Sequence, residues 1–310
     1  MRKRNSTFNN DPRQYVIDFD FDDEPETGTN PAFRYISFGS GSSGNSCYIG
    51  NDNGGLLVDA GIKLETVQET LNANGISIDK VKGILLTHDH SDHVHYVYKY
   101  LRKWKNLDLL CTNRVLKGLL TRHNISKRVT DYHRPIFKEI PFEAAGFTVT
   151  AFEVPHDGSD NMGFSISLGD RNFVLATDIG AVTARARHYM SLADYLVIEA
   201  NYDAAMLRNG RYPEYLKARI ATDNGHLCND QTAQFLGEIA ASDRLKWVFL
   251  CHLSKDNNTP EIALETVRKT LLEKGLNIGR TEETIADRSA DLRLGVLPRY
   301  NPTRLFVLRD

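Results

Sequence analysis

A chain of 310 residues, 41% hydrophobic and 25% charged, can bury a core without disulfides or structural metals, so any metal it holds is expected to be functional. Its formal net charge of -2 gives no global attraction to a polyanion, so nucleic-acid binding must use local basic patches or bound cations. No apolar run reaches the length of a membrane span, and Met1-Arg2-Lys3-Arg4 leads into Asn10-Asp11-Pro12 instead of an apolar stretch, so a cytoplasmic protein without membrane association is expected. Cys47, Cys111, Cys228 and Cys251 stand at no redox or zinc-knuckle spacing and read as reduced thiols.

Residues 1–30 join the basic start to the acidic stretch from Asp18 to Glu26 and contain little that forms a core. They read as a solvated charged tail, which leaves 31–310 as the folded domain. From Phe33 the pattern changes to short apolar runs: Phe33–Phe38, Ser46–Gly50 and Leu56–Asp59 are predicted strands, with Asn53-Gly54-Gly55 as a hairpin turn. An amphipathic helix over Lys63–Ala73, stopped by Asn74-Gly75, precedes a strand over Val81–Thr87. Further helices are predicted over Val94–Trp104, Asn113–Arg122, Thr183–Met190, Pro213–Ile220, Asp230–Ala241 and Pro260–Lys274. Further strands are predicted over Leu107–Cys111, Phe147–Val154, Phe164–Leu168, Asn172–Thr177, Tyr195–Glu199, Trp247–Cys251 and Leu305–Leu308. Early hairpins followed by alternating strands and helices imply an α/β fold whose sheets carry helices on their outer faces.

Gly39-Ser40-Gly41-Ser42-Ser43-Gly44 fits the dinucleotide fingerprint GxGxxG and follows a strand. The fingerprint also needs a helix whose N-terminus faces the pyrophosphate, whereas Asn45 to Gly50 is β-like and runs into a hairpin. The glycines and serines are read instead as a tight turn whose donors line the mouth of a site.

His88, His90, Asp92 and His93 fall within six residues, directly after the buried-type strand Gly83-Ile84-Leu85-Leu86-Thr87. A lone histidine is ordinary, but so many imidazole and carboxylate groups in one turn are costly unless a cation neutralises and orders them. Such a turn can aim His88 and His90 at one ion and Asp92 and His93 at a neighbour.

This segment matches, at every fixed position, the HxHxDH signature of the metallo-β-lactamase superfamily, which the chain resembles. The resemblance implies a four-layered αββα sandwich with metals at the sheet edges. It also implies the remaining ligands. His156, in Val154-Pro155-His156-Asp157-Gly158, completes the first set; Asp178, in Ala176-Thr177-Asp178-Ile179-Gly180, bridges both ions; His252, after Trp247–Cys251, joins the second set. Asp59, closing Leu56-Leu57-Val58, orients the metal loop from behind. Phe38 to Ser46, Glu199 to Asp203, Gly225 to Asn229 and His252 to Glu261 extend the resemblance toward the YycJ (WalJ) group. That group is associated with 5′-to-3′ exonuclease action on DNA, which implies a nucleic-acid substrate and a DNA-repair role. The chain departs from it at Cys228, where the pattern has serine, and in residues 1–30.

A pair of divalent cations bridged by Asp178 and a shared water lowers that water's pKa toward neutrality and makes hydroxide the nucleophile, so Asp92 and Asp178 count as catalytic as well as ligating. Zinc or manganese suits this thiolate-free donor set, and iron is also compatible. His226 is left over: it is a candidate phosphate ligand or leaving-group acid with Glu199 as partner, or else a loop histidine bonded to backbone. Lys99, Arg102, Lys103 and Lys105, then Arg208, Arg211, Lys217 and Arg219, are candidate contacts to a DNA backbone or plain solvated helix faces. The rival readings are a thioesterase or lactonase of the same fold, an RNA-processing nuclease, and a metal-binding module without catalysis.

Overall fold

The computed structural model describes residues 31–281 and 289–309, and the segment 1–30 read above as a tail lies outside them. The first sheet opens with β1 (Phe33–Gly39), β2 (Ser46–Gly50) and β3 (Gly55–Val58), antiparallel in succession. After α1 (Leu64–Ala73), β4 (Val81–Leu85) pairs parallel with β3. Then α2 (Ser91–Val94) and α3 (Val97–Lys103) lead to β5 (Asp108–Cys111), and α4 (Asn113–Arg122) leads to β6 (His133–Pro135), again in parallel.

The second sheet starts with β7 (Phe142–Ala144), β8 (Phe147–Glu153), β9 (Met162–Leu168) and β10 (Arg171–Ala176), each antiparallel to the one before. Beyond α5 (Ala184–Met190), β11 (Tyr195–Glu199) runs parallel to β10. Next come α6 (Ala204–Asn209), α7 (Glu214–Ile220) and α8 (Asn229–Ile239), then β12 (Trp247–Cys251) parallel to β11. After α9 (Pro260–Glu273), β13 (Ile278–Arg280) and β14 (Leu292–Val296) complete this sheet, and β15 (Phe306–Leu308) returns to pair with β1. Among the described residues the orders are β15-β1-β2-β3-β4-β5-β6 and β13-β14-β12-β11-β10-β9-β8-β7.

Strand alternation sorts the side chains of the second sheet into two cores. Phe173 and Leu175, Tyr195 and Val197, and Trp247 and Phe249 share one core with Phe33 and Tyr35 of β1. Phe33 stacks on Phe147 at 5.5 Å, and Tyr35 lies 5.0 Å from Phe173 and 5.1 Å from Phe249. The intervening Val174, Leu196, Ile198, Val248 and Leu250 pack instead with Ala186 and Met190 of α5, Leu236 of α8, and Val267 and Leu271 of α9. Leu64 and Val67 of α1, Val97 and Leu101 of α3, and Val115 and Leu119 of α4 are buried against the first sheet. The result is the αββα sandwich implied by the sequence.

Two differences from the predicted elements have local causes. The strands β6, β7, β13 and β14 span three to five residues, too few to show an alternation. The helix expected over Val94–Trp104 starts earlier, at Ser91, and breaks before Val97. Its missing bond is replaced twice: Asp92 O accepts from Asn45 N at 2.8 Å, and Tyr96 N donates to Ala60 O at 2.9 Å. The ligand loop is thereby fastened to both neighbouring turns.

Gly61 makes that fastening possible, because a Cβ there would lie 1.6 Å from Asp92 O and 2.7 Å from Asn45 N, both main-chain atoms that cannot swing aside. Gly61→Ala is expected to cost about 3 kcal/mol or more in urea denaturation, since overpacking against backbone is not relieved by a rotamer change. A parent-like midpoint would show that these turns are not packed as described.

Candidate metal centre

Strand polarity brings the site together. β3 and β4 are parallel, β10, β11 and β12 are parallel, and β8 shares their direction through the intervening antiparallel β9. Asp59, His88 to His93, His156, Asp178, Glu199 and His252 therefore all lie at or just past carboxyl ends of strands, where loops are free to converge. Asp59 and His252 adopt left-handed backbone, with φ of 61° and 52°. That costs about 1–2 kcal/mol for a residue with a Cβ and persists only where neighbours enforce it. Asp59 N donates to Leu85 O, and His252 N donates to Ser40 Oγ in the glycine-serine turn, at 2.8 and 2.9 Å.

The predicted donors meet in overlapping groups, with His88, His93 and Asp178 linking the two described next. Nitrogens of His88, His90 and His156 lie within 4.8 Å of one another, as do donor atoms of Asp92, His93 and His252. Asp178 stands between the groups: Oδ2 is 3.3 Å from His93 Nε2, and Oδ1 is 3.8 Å from His156 Nε2 and 3.2 Å from His252 Nδ1. Behind the donors a ring of acceptors fixes the imidazoles. His93 Nδ1 donates to Asp59 Oδ2 at 2.7 Å, His156 Nδ1 to Gly225 O at 2.9 Å, and His252 Nδ1 to Glu199 Oε1 at 2.8 Å. Each of these bonds turns Nε2 inward, the arrangement that orients metal-binding histidines.

Three of the inward atoms have no hydrogen-bond partner. His88 Nε2, His252 Nε2 and Asp178 Oδ2 are buried without a hydrogen bond. Each such atom costs about 1–3 kcal/mol if nothing meets it. Nitrogen and carboxylate oxygen donors facing one another, with no thiolate among them, fit divalent cations.

The electrostatics carry the same signature. Burial raises Asp178, but His252, His93, His88 and His156 outweigh it and hold the carboxyl well below its usual range. Burial lowers His93, yet Asp178, Asp59 and Asp92 carry it up to about 9. His252 is raised well above its ordinary value by Asp178, Asp92 and Glu199 against the same burial. His88 is driven down by burial first and then by its histidine neighbours.

Glu199 has a larger part than expected. It is fully buried, and Oε1 accepts from both His252 and His226 Nδ1, the latter at 2.7 Å, while Oε2 accepts from Ile179 N and Leu227 N at 3.0 and 3.2 Å. His226 thus bonds to a carboxylate, not to backbone, and its ring centre lies 4.9 Å from that of His156.

Several residues without a role in the sequence reading support the centre. Asn45 Nδ2 donates to Asp92 Oδ2 at 3.0 Å, which gives the glycine-serine turn its function. Asp89 accepts from Ser159 N and Oγ, both at 2.7 Å, and so ties the ligand loop to the one carrying His156. Asp157 Oδ1 is 3.2 Å from His90 Nε2, while its other oxygen accepts from Arg219 Nε at 2.7 Å. The adjacency of Asn45 to the glycines and of Asp157 to His156 was the available signal. Of the basic residues, Lys99 pairs with Glu65, and α3 runs from the site toward the start of β5, so Lys103 and Lys105 lie toward the opposite edge.

Residues 55–248 match the beta-lactamase superfamily domain. The chain belongs to the beta-lactamase superfamily. Within this superfamily it is 36% identical over 245 residues to exodeoxyribonuclease YycJ of Bacillus anthracis, covering 79% of this chain and 91% of that one. It is 34% identical over 260 residues to exodeoxyribonuclease WalJ of Streptococcus pneumoniae, covering 84% and 95%. Zn(2+)-bound PqqB from Methylobacterium extorquens shares the fold at a TM-score of 0.60 and 17% identity, over 87% of this chain and 99% of that one. The superfamily fold is one that holds divalent metal ions, and the donors found here fit them.

Two outcomes follow. His90→Ala and Asp178→Ala are expected to lower bound metal, measured by elemental analysis, while circular dichroism still reports a folded chain; full metal content in both would remove these residues from the centre. Metal binding must also expel the protons held on His93 and His252, both raised in pKa. Affinity is therefore expected to climb as pH rises toward about 9, with net proton release in calorimetry across buffers of differing ionisation heat. A pH-independent affinity would contradict this assignment.

Proposed function

We propose that this superfamily member is a metal-dependent phosphodiesterase that works as a 5′-to-3′ exonuclease on DNA, in the cytoplasm and with a role in DNA repair. The observation that carries the reading is the His226–Glu199 pair beside a full set of inward-facing donors. Donors alone would serve any hydrolase of the fold. A thioester releases a thiolate that leaves without help, whereas a nucleotide 3′ oxygen is a poor leaving group and benefits from a positioned proton donor. The names of the relatives at 34–36% identity favour the same chemistry.

In this reading His88, His90 and His156 would hold one ion, Asp92, His93 and His252 would hold the other, and Asp178, which stands between the groups, would serve both. A zinc or manganese pair bound there supplies Lewis acidity toward the phosphate and a water of lowered pKa. Asp59 and Asn45 keep His93 and Asp92 aimed inward. His226 gives its Nδ1 hydrogen to Glu199, which leaves Nε2 to carry the proton toward the leaving oxygen. Burial disfavours the imidazolium, but the Glu199 charge outweighs it and raises the pKa, so the proton is retained until it is needed.

The deciding assay supplies Mn2+ or Zn2+ and offers end-labelled single- and double-stranded DNA, RNA and a generic thioester. Mononucleotide release from DNA 5′ ends is expected; thioester turnover with inert nucleic acid, or a preference for RNA, would overturn the substrate assignment. His226→Ala is expected to reduce kcat by about 10²–10⁴ with metal content retained. The loss should shrink on a p-nitrophenyl phosphodiester, whose leaving group needs no acid. An equal loss on both substrates would make His226 a phosphate ligand instead.

A further inference from the structure

Residues 203–225 form an arm that leaves the rim of the site and returns to it. On the outgoing side Asn201 Nδ2 donates to His252 O at 2.7 Å; on the returning side His226 bonds to Glu199. The arm holds α6 and α7 and rests on a small apolar cluster of Tyr202, Leu207 and Cys228, apart from both main cores. No residue of α7 is buried. Arg219, in its last turn, reaches Asp157, whose other oxygen is 3.2 Å from His90 Nε2. Lys217 Nζ donates to Arg208 O at 2.8 Å and so braces α7 against α6.

Tyr215 stands four residues before Arg219, and hence on the same helix face one turn away, about 6 Å along the axis. Its side chain is the most exposed of the large apolar ones among the described residues, at 77%. An aromatic ring left in water contributes nothing to the fold of a helix that buries no residue, and this one lies a turn from the arginine that reaches Asp157. Of the arm's charges, Glu214 is matched by Lys217 and Asp203 caps α6, while Arg208, Arg211 and, near its returning end, Asp223 are exposed with no ion pair among the described residues, a surplus of one cation.

We infer that the α6–α7 arm is a binding surface for single-stranded DNA, with Tyr215 stacking on a base and Arg208 and Arg211 meeting phosphates as the strand approaches the centre. The inference rests on the exonuclease reading and specifies the form in which that substrate is held. An exposed flat ring and unmatched guanidinium groups on one arm suit a single strand, whose bases are unstacked and whose backbone follows a basic track. Inside a duplex the base faces are covered by their neighbours, and only the terminal pair could meet such a ring.

The test measures binding of a fluorescein-labelled, phosphorothioate-linked oligodeoxythymidine, which resists hydrolysis, to the full chain as purified over a series of salt concentrations. Tyr215→Ala is expected to weaken binding about tenfold with the salt slope intact, and Tyr215→Trp to retain it. The double variant R208A/R211A is expected to flatten the slope of log affinity against log salt by about one to two. Parent-like affinity in Tyr215→Ala and a parent-like slope in the arginine variant would overturn the surface, and so would equal affinity for a blunt duplex. Because this assay reads binding, strand capture through Tyr215 without mononucleotide release refutes the exonuclease reading alone. Mononucleotide release with Tyr215→Ala binding unchanged refutes this one alone.

Discussion

The structure turns on one electrostatic constraint: lone pairs of histidines and carboxylates are packed against each other out of reach of water. His156 Nε2 and His90 Nδ1 approach to 3.3 Å, and Asp178 is wedged among four imidazoles. Left alone, such a cluster repels itself and pays the full cost of desolvation. It is held by bonds from behind, where Asp59 and Gly225 O each fix one ring and Glu199 fixes two, and those bonds depend on loops whose ends are anchored in the sheets. The two facing aromatic layers supply that anchorage. Phe33, Tyr35, Phe147, Phe173 and Phe249 lock the sheets together, so the strand ends that carry donors from different sheets cannot drift apart.

Much of this was legible in the amino-acid order because it is local. His88, His90, Asp92 and His93 lie in one turn, and a group of that kind announces a cation without knowledge of the rest. The central strands were legible for the same reason, since Tyr195–Ile198 and Trp247–Cys251 are continuous apolar runs buried on both faces. His156, Asp178 and His252 are isolated letters; only likeness to a superfamily pattern separated them from ordinary histidines and aspartates, and the fold then brought them together.

What escaped the sequence is relational. Asn45 meets Asp92 across 47 positions and Asp89 meets Ser159 across 70, and neither pairing has a local signature. Glu199 was matched with His226, but its second partner, His252, lies 53 positions away and is visible only once β11 and β12 are side by side. The break between α2 and α3 is similar, because the bond that α2 forgoes is repaid by turns from another hairpin. β6, β7 and β13 were missed because three residues cannot display a period, whereas β15, equally short, was legible as the apolar run Leu305–Leu308.

The pairing of β15 with β1 has a kinetic meaning. Phe306 joins Tyr35, Phe249 and Trp247, yet it lies some 270 positions after Tyr35 in the chain. Closing so long a loop is entropically slow, and contacts of this span form late. During synthesis β1 therefore stands as an unpaired edge until the far end of the chain emerges from the ribosome. An edge of that kind is open to wrong partners, so chaperone dependence in the nascent chain is a natural companion of this topology.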